Sequence, residues 1–299
     1  MPGFNSIREY ALADDAGRVW TTQFRKAVAS AATVTSGLID YLYFAGSPAA
    51  NFYASSPYVS AVLEPSRGIY VPSVSPSKQY VKSLTTMSSS ASATTTSNQR
   101  QRLIMADYLL YYPFIDTDAV GEEQVMENTV ALPRYPYGQV IAVAQSASST
   151  YGQFTITYTN QDGVPGRVSQ NTFTLIVGGG GQVVSSAVSN AGFHPYINLQ
   201  NGDIGVQSIQ SVTFTAAGGG LLSLVIVHPL FTSVVSQECR RTTTGNLESY
   251  GSADQLDMII HQAGTPEIKD GAILGIFAQG FAGSLASSIL IGMLETVWN

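Results

Sequence analysis

Phe154-Thr155-Ile156-Thr157-Tyr158-Thr159 alternates apolar and hydroxyl side chains without a break. A period of two sets Phe154, Ile156 and Tyr158 on one side of an extended chain and three threonines on the other. That is the pattern of a strand buried on one face only. Asn160-Gln161-Asp162-Gly163 follows, and an Asp-Gly pair opens a hairpin because glycine accepts the positive φ such turns need. Arg167–Val177 then reads as the return strand. Working outward, strands are expected at Val19–Lys26, Tyr80–Met87, Gln182–Val188, Gln207–Ala216, Leu221–Val227 and Phe231–Gln237. Leu256–His261, Ala272–Gln279 and Ser288–Trp298 complete the set. Leu221–Val227 is apolar on both faces and reads as a central strand, while Gly178–Gly181 and Gly218–Gly220 read as turns. Short strands at regular spacing with glycine turns predict a mainly β chain, a jelly-roll-like antiparallel β-sandwich.

One buried helix is expected inside this β chain, over about residues 99–112. Asn98 can cap it, and Leu103, Ile104, Ala106, Tyr108, Leu110 and Tyr111 make it apolar nearly all round, as a helix enclosed by the core should be. Pro113 would end it. Asp107 is then the one carboxylate inside an apolar element and needs a partner, which Arg134 or Tyr135 can supply. Ser88–Asn98 is a polar low-complexity loop. Ala45–Pro76 holds five prolines, which cannot donate to a ladder, so this stretch is an extended arm or loop with at most edge strands. It reads either as an irregular wrap over the core or as an arm reaching a neighbouring subunit, with Tyr53, Tyr58 and Tyr70 as aromatic anchors. The expected division is an N-terminal segment and arm over 1–78 and a β-sandwich core over 79–299. Deleting Met1–Pro57 is expected to leave that core folded.

Charge is scarce. Of 299 residues, 11% are charged, and the net charge is −6, against roughly 25% charged in an average soluble domain. Disorder is excluded by the aromatic content, nonspecific binding to duplex DNA by the net negative charge, and a disulfide framework by the single Cys239. Tyr135–Gln161 contains no charged residue, and Val168–Gln237 contains only Asp203. Subunit interfaces are depleted in Lys, Glu and Asp and enriched in aromatic residues, so these strands read as surfaces covered by other copies. The competing reading is a Ser/Thr-rich β surface open to solvent. Gly271–Leu294 is uncharged and long enough to cross a bilayer of about 20 residues. Its Gln279, serines and glycines instead read as two strands joined by a turn, and no membrane association is expected. The opening MPGFNSIREY lacks a basic stretch followed by an apolar run, so no secretory signal is expected.

No constellation points to an enzyme. Gly178–Gly181 precedes a strand, whereas a phosphate loop opens a helix. Asp116-Thr117-Asp118 offers two oxygen ligands where a hard cation wants six or more, and reads as a solvated loop. His194, His228 and His261 are widely separated, while zinc needs three or four convergent ligands. Cys239 precedes Arg240-Arg241, which can lower a thiol pKa, but no nucleophile motif surrounds it, and Ser284 sits in a turn sequence. A carbohydrate-active jelly roll would need paired carboxylates, which nothing here pairs. Arg134-Tyr135-Pro136-Tyr137 interleaves aromatic and basic groups and could stack a sugar or base; structural packing is the preferred reading. No cofactor or metal is expected.

Five stretches read together: DYLLYYPFID (107–116), NTVALPRY (128–135), TYTNQDGVPGR (157–167), QSVTF (210–214) and ETVWN (295–299). This set resembles a family of tailed-bacteriophage virion proteins encoded among head and tail genes, in patches from Asp107 onward with a weaker echo at Ser47–Pro57. The resemblance implies a non-enzymatic structural component of the particle. The expectation is a capsid decoration, or cement, protein on the head exterior, a homo-oligomer, taken as a trimer, bound to the major capsid protein without touching nucleic acid. The alternative is a tail or baseplate component with a receptor- or glycan-binding β domain. Tyr53, Tyr58, Tyr70, Arg134, Tyr135 and Tyr137 are the candidate interface residues.

Overall fold

A computed structural model describes residues 4–28, 38–90, 101–147, 152–174, 179–184, 195–235, 238–241, 247–249, 253–258, 264–280, 285 and 288–299. Among them are eighteen strands and one α-helix, a mainly β chain whose three sheets stack as a β-sandwich.

The middle sheet runs β2 (Leu38–Asp40), β17 (Leu274–Gly280), β5 (Gln101–Asp116), β12 (Leu221–Val235) and β7 (Gln139–Ala144), all antiparallel. One face meets two other sheets side by side. The first has the order β14 (Leu247–Ser249), β13 (Glu238–Arg241), β4 (Gln79–Ser90), β18 (Ser288–Trp298), β1 (Val19–Ala27) and β3 (Ala45–Ser47), with β15 (Asp254–Asp257) and β16 (Glu267–Ile268) also pairing β4. Its Phe24, Leu84, Leu290 and Leu294 pack with Leu103, Met105 and Ile276 of the middle sheet. The second has the order β10 (Thr172–Thr174), β8 (Gly152–Asn160), β11 (Val206–Ala216) and β6 (Glu123–Val125), with β9 (Arg167–Val168) on β8. Here Phe154, Ile156 and Phe214 pack with Leu110, Tyr112 and Leu224. The opposite face of the middle sheet, with Ile104, Tyr108 and Tyr111, is covered by Leu42 and by Tyr53 and Leu63 from the proline-rich stretch.

That double cover explains the main correction to the sequence reading. Residues 101–116 form strand β5, not a helix over 99–112. A strand enclosed on both faces has no solvent side to mark with polar residues, so its apolar run lacks alternation and matches a buried helix equally well. Pro113 does not end the element. It sits at an irregularity in the β5–β12 register, where Phe114 takes a positive φ of 59°, and bulges are where strands accept proline. Likewise β12 joins two expected strands into one, with Pro229 beside another register shift.

The α-helix among the described residues is α1 (Ile7–Asp15). Ser6 caps it, its Oγ accepting from Glu9 N at 3.2 Å, while Glu9 Oε2 accepts from Asn5 N at 2.6 Å. Tyr10 and Ala13 pack with Phe4, Tyr80 and Val297.

Residue 79 is no boundary in the packing. β1 lies between β18 and β3 and matches β18 residue for residue from Val19↔Val297 to Ala27↔Ile289. Proline bars Ala45–Pro76 from ladder interiors but not from burial, and the stretch lies against the middle sheet through Ala61↔Tyr111 and Ile69↔Leu274. The expected strands at Val19–Lys26, Gln207–Ala216 and Ser288–Trp298 are β1, β11 and β18. Tyr80–Met87 lengthens into β4, and the return strand after Asp162-Gly163 is split into β9 and β10. Residues 91–98, 175–177, 185–188 and 259–261 of the expected loop and strands lie outside the described residues, as do His194, Gly178 and Ser284.

Candidate functional site

Strand β8, with its alternating Phe154–Thr159 run, builds the most distinctive surface. Along β8 burial alternates at every residue, so Thr155, Thr157 and Thr159 face away from the core. Pairing with β11 sets Thr213, Ser211 and Ser208 opposite them. Register shifts at Gln207 and Gln210 keep Ile209 and Val212 inward despite the non-alternating sequence. β9 places Val168 beside Thr157, and β6 places Val125 beside Ser211. A row Val168–Thr157–Ser211–Val125 therefore crosses the sheet, with Val125 66% and Val168 47% exposed. Glu123, opposite Thr213, is the one charge on this face among the described residues. A band of hydroxyls between exposed valines can be covered without desolvating an ion, which keeps the cost of burial low. Ser211 Oγ is already buried and makes no hydrogen bond.

The outer face of the β4–β18–β1 sheet carries a smaller apolar patch, bordered by the exposed Arg25. Ile291 lies between Met87 and Arg25, and Met293 between Thr85 and Gln23; Ile291 is exposed and the two methionines are half-buried.

Several of the chain's charges are instead spent inside. Asp107 is fully buried and takes a two-pronged ion pair from Arg134, Nε to Oδ2 at 2.8 Å and Nη2 to Oδ1 at 2.7 Å, plus Ile273 N at 3.0 Å. Burial drives the carboxyl pKa up, and the guanidinium and amide act against it. Asp203 accepts from Arg167 Nε at 2.9 Å, Tyr158 Oη at 2.6 Å and Asn160 Nδ2 at 2.8 Å, and the Arg167 hydrogen bond is the chief cause holding its pKa at about 2. Asp40, also fully buried, accepts from the hydroxyls of Tyr53 and Tyr108 and from Leu42 N. Burial raises its pKa against those donors and the Lys26 charge. Lys26 Nζ donates to the carbonyls of Phe44 at 3.0 Å and Pro48 at 2.8 Å, while burial lowers its pKa to about 8. These groups pin loops to sheets.

The sequence-derived interface residues divide accordingly. Tyr53 is wholly buried on Asp40 and cannot anchor a neighbour; its wrap packs on its own chain, so the intersubunit-arm reading fails for it. Tyr58 packs partly into the core. Arg134 is taken up by Asp107, Tyr135 stacks on His228 with ring centroids 3.8 Å apart, and Tyr137 fills the space over Gly205. Arg134 and Tyr135 thus form an internal brace. Tyr70 alone stays largely open, 60% exposed.

Asp116 and Asp118 serve the turn: Asp116 Oδ1 accepts from Asp118 N, and Asp118 Oδ1 from Gly219 N. Among the described residues no group of three or more His, Cys, Asp and Glu converges on a point that could hold a metal, and no helix is long and apolar enough to cross a membrane. Gly271–Leu294 contributes β17 and the first part of β18. Cys239 lies in β13, opposite Ser89. No protein-family model matches the sequence, and no curated protein or solved structure matches it either.

Proposed function

We propose that this chain is a non-enzymatic structural component of a tailed-phage virion, a capsid decoration (cement) protein that clamps capsomers on the head exterior. It acts as a homotrimer bound to the major capsid protein, with a jelly-roll-like module as its body. The observation that carries the reading is the uncharged Thr/Ser band of β8 and β11 between exposed Val125 and Val168. Such a face suits permanent cover by protein, because interface cores exclude charge. The resemblance of the 107–116, 128–135 and 157–167 stretches to phage virion proteins supplies the particle. A clamp spanning two capsomers would bury more than about 1,000 Å², and that area, shared between capsomers, resists pressure from the packaged genome.

Electron microscopy of intact particles carrying a gold-labelled copy tests this. Label in a regular array over the head, at three-fold or quasi-three-fold positions, is expected. Label confined to the tail would replace the cement reading with the tail or baseplate one, and particles without label would end both.

A further inference from the structure

Trp20 is 40% exposed and Tyr70 60%, and the two rings meet edge to face at 6.2 Å and 78°. Their position follows from strand geometry. Trp20, Thr22, Phe24 and Lys26 share one face of β1 by alternation. Phe24 and Lys26 are buried, whereas Trp20 at the other end of that face is exposed and meets Tyr70. The rings are not free rotors. Trp20 Nε1 donates to Thr22 Oγ1 at 2.8 Å, and Thr22 Oγ1 donates to Tyr70 O at 2.6 Å. One hydroxyl therefore ties the strand bearing the indole to the backbone bearing the phenol.

Beside Tyr70 lies an open cleft of about 440 Å³, within the range of roughly 300–1,000 Å³ typical of small-ligand sites. Pro48, Pro65 and Ile69 give it apolar walls, and Gln23, Ser47 and Ser66 add amide and hydroxyl groups. No charged residue lines it. β3 borders the cleft as an edge strand, but it spans only Ala45–Ser47 and runs straight into Pro48, so it offers little template for an added peptide strand.

We infer that this cleft binds a neutral oligosaccharide, which packs on Tyr70 inside the cleft and extends over Trp20 beside it. Sugar rings present apolar C–H faces that pack on aromatic rings, and their hydroxyls need neutral donors and acceptors at the rim. Prefixed aromatic rings save the ordering cost of binding, and the uncharged lining selects against acidic sugars. The inference does not depend on the cement reading, and failure of either leaves the other standing.

Isothermal titration of the full chain with cellohexaose, maltohexaose, chitohexaose and mannohexaose tests it, with hexagalacturonate and a proline-rich decapeptide as contrasts. At least one neutral hexaose should bind, with affinity falling tenfold or more in both Trp20→Ala and Tyr70→Ala. Trp20→Phe and Tyr70→Phe, which keep a ring in place, should bind and guard against loss by misfolding. A second readout uses the presence of only two tryptophans: in a Trp298→Phe background, emission from Trp20 should shift as that sugar saturates. Absence of binding by all four neutral sugars, binding of only the acidic sugar or the peptide, or sugar affinity unchanged in both alanine variants would overturn the inference.

Discussion

Arg134 reaches Asp107 with both prongs of its guanidinium, at 2.7 and 2.8 Å, and holds a carboxylate at the centre of the middle sheet, where Asp107 lies between Leu274 on one side and His228 on the other. Arg134 itself takes a positive φ of 63°, so the loop after Pro133 is shaped to deliver it.

Removing that partner leaves a buried charge alone. Arg134→Ala should cost about 3–5 kcal/mol of folding stability, measured by urea denaturation. Arg134→Lys should recover only part, because an ammonium cannot make the same planar two-pronged contact. Full recovery by lysine would show that the fork geometry is irrelevant.

Asp203 supplies a pH dependence of known sign. Its folded pKa of about 2 lies below the ordinary aspartate value of about 3.9. The native state therefore prefers the ionised form, so the stabilisation is complete above about pH 4 and drains away as the pH falls towards 2. Melting temperature followed from pH 5 to pH 2 should drop less steeply in Asp203→Asn than in the parent. Parallel slopes would rule out this contribution.

Phe24 lies over Gly292 across the β1–β18 pair. A methyl group at Gly292 would come within 2.1 Å of the Phe24 ring. Gly292→Ala should destabilise by about 1–3 kcal/mol through overpacking, and Phe24→Leu in the same chain should return part of the loss. Thermal unfolding of the two single variants and the double variant measures that coupling.

Deleting Met1–Pro57 should destroy the fold, contrary to what the proline-rich sequence suggests. It removes β1 and β3 from beside β18 and the edge strand β2 with Asp40 from the middle sheet, and it takes Tyr53 from that sheet's second face. Circular dichroism of the truncated chain should show no cooperative unfolding; a sharp transition would restore the idea of a separable arm.

Elements with one wet face were readable from the sequence, because solvent forces alternation there. β8 and the Asp162-Gly163 turn follow directly, and β18 begins and ends where its pattern does, whereas β11 keeps one face inward only through its register shifts. The need of Asp107 for a partner was also readable, since a carboxylate in an apolar run must be paired, and Arg134 lies in the next turn-rich stretch. β5 was not, because its second face is covered by residues some fifty positions upstream, and local pattern carries no mark of that cover. Helix α1 did leave a signal in Ser6-x-x-Glu9, a serine three residues before a glutamate. The Trp20–Tyr70 pair joins residues fifty positions apart through a hydroxyl, which no local spacing reveals.

On the proposed function, sister copies cover the Thr/Ser band of β8 and β11. Multi-angle light scattering of the parent chain and of Thr157→Arg, with melting temperatures to show that both are folded, tests it most directly. The parent should be trimeric and the variant folded but monomeric, since an arginine in the middle of the band would have to be buried unpaired. A folded variant that retains the parent's trimeric mass, or a parent that is monomeric at micromolar concentration, would contradict it.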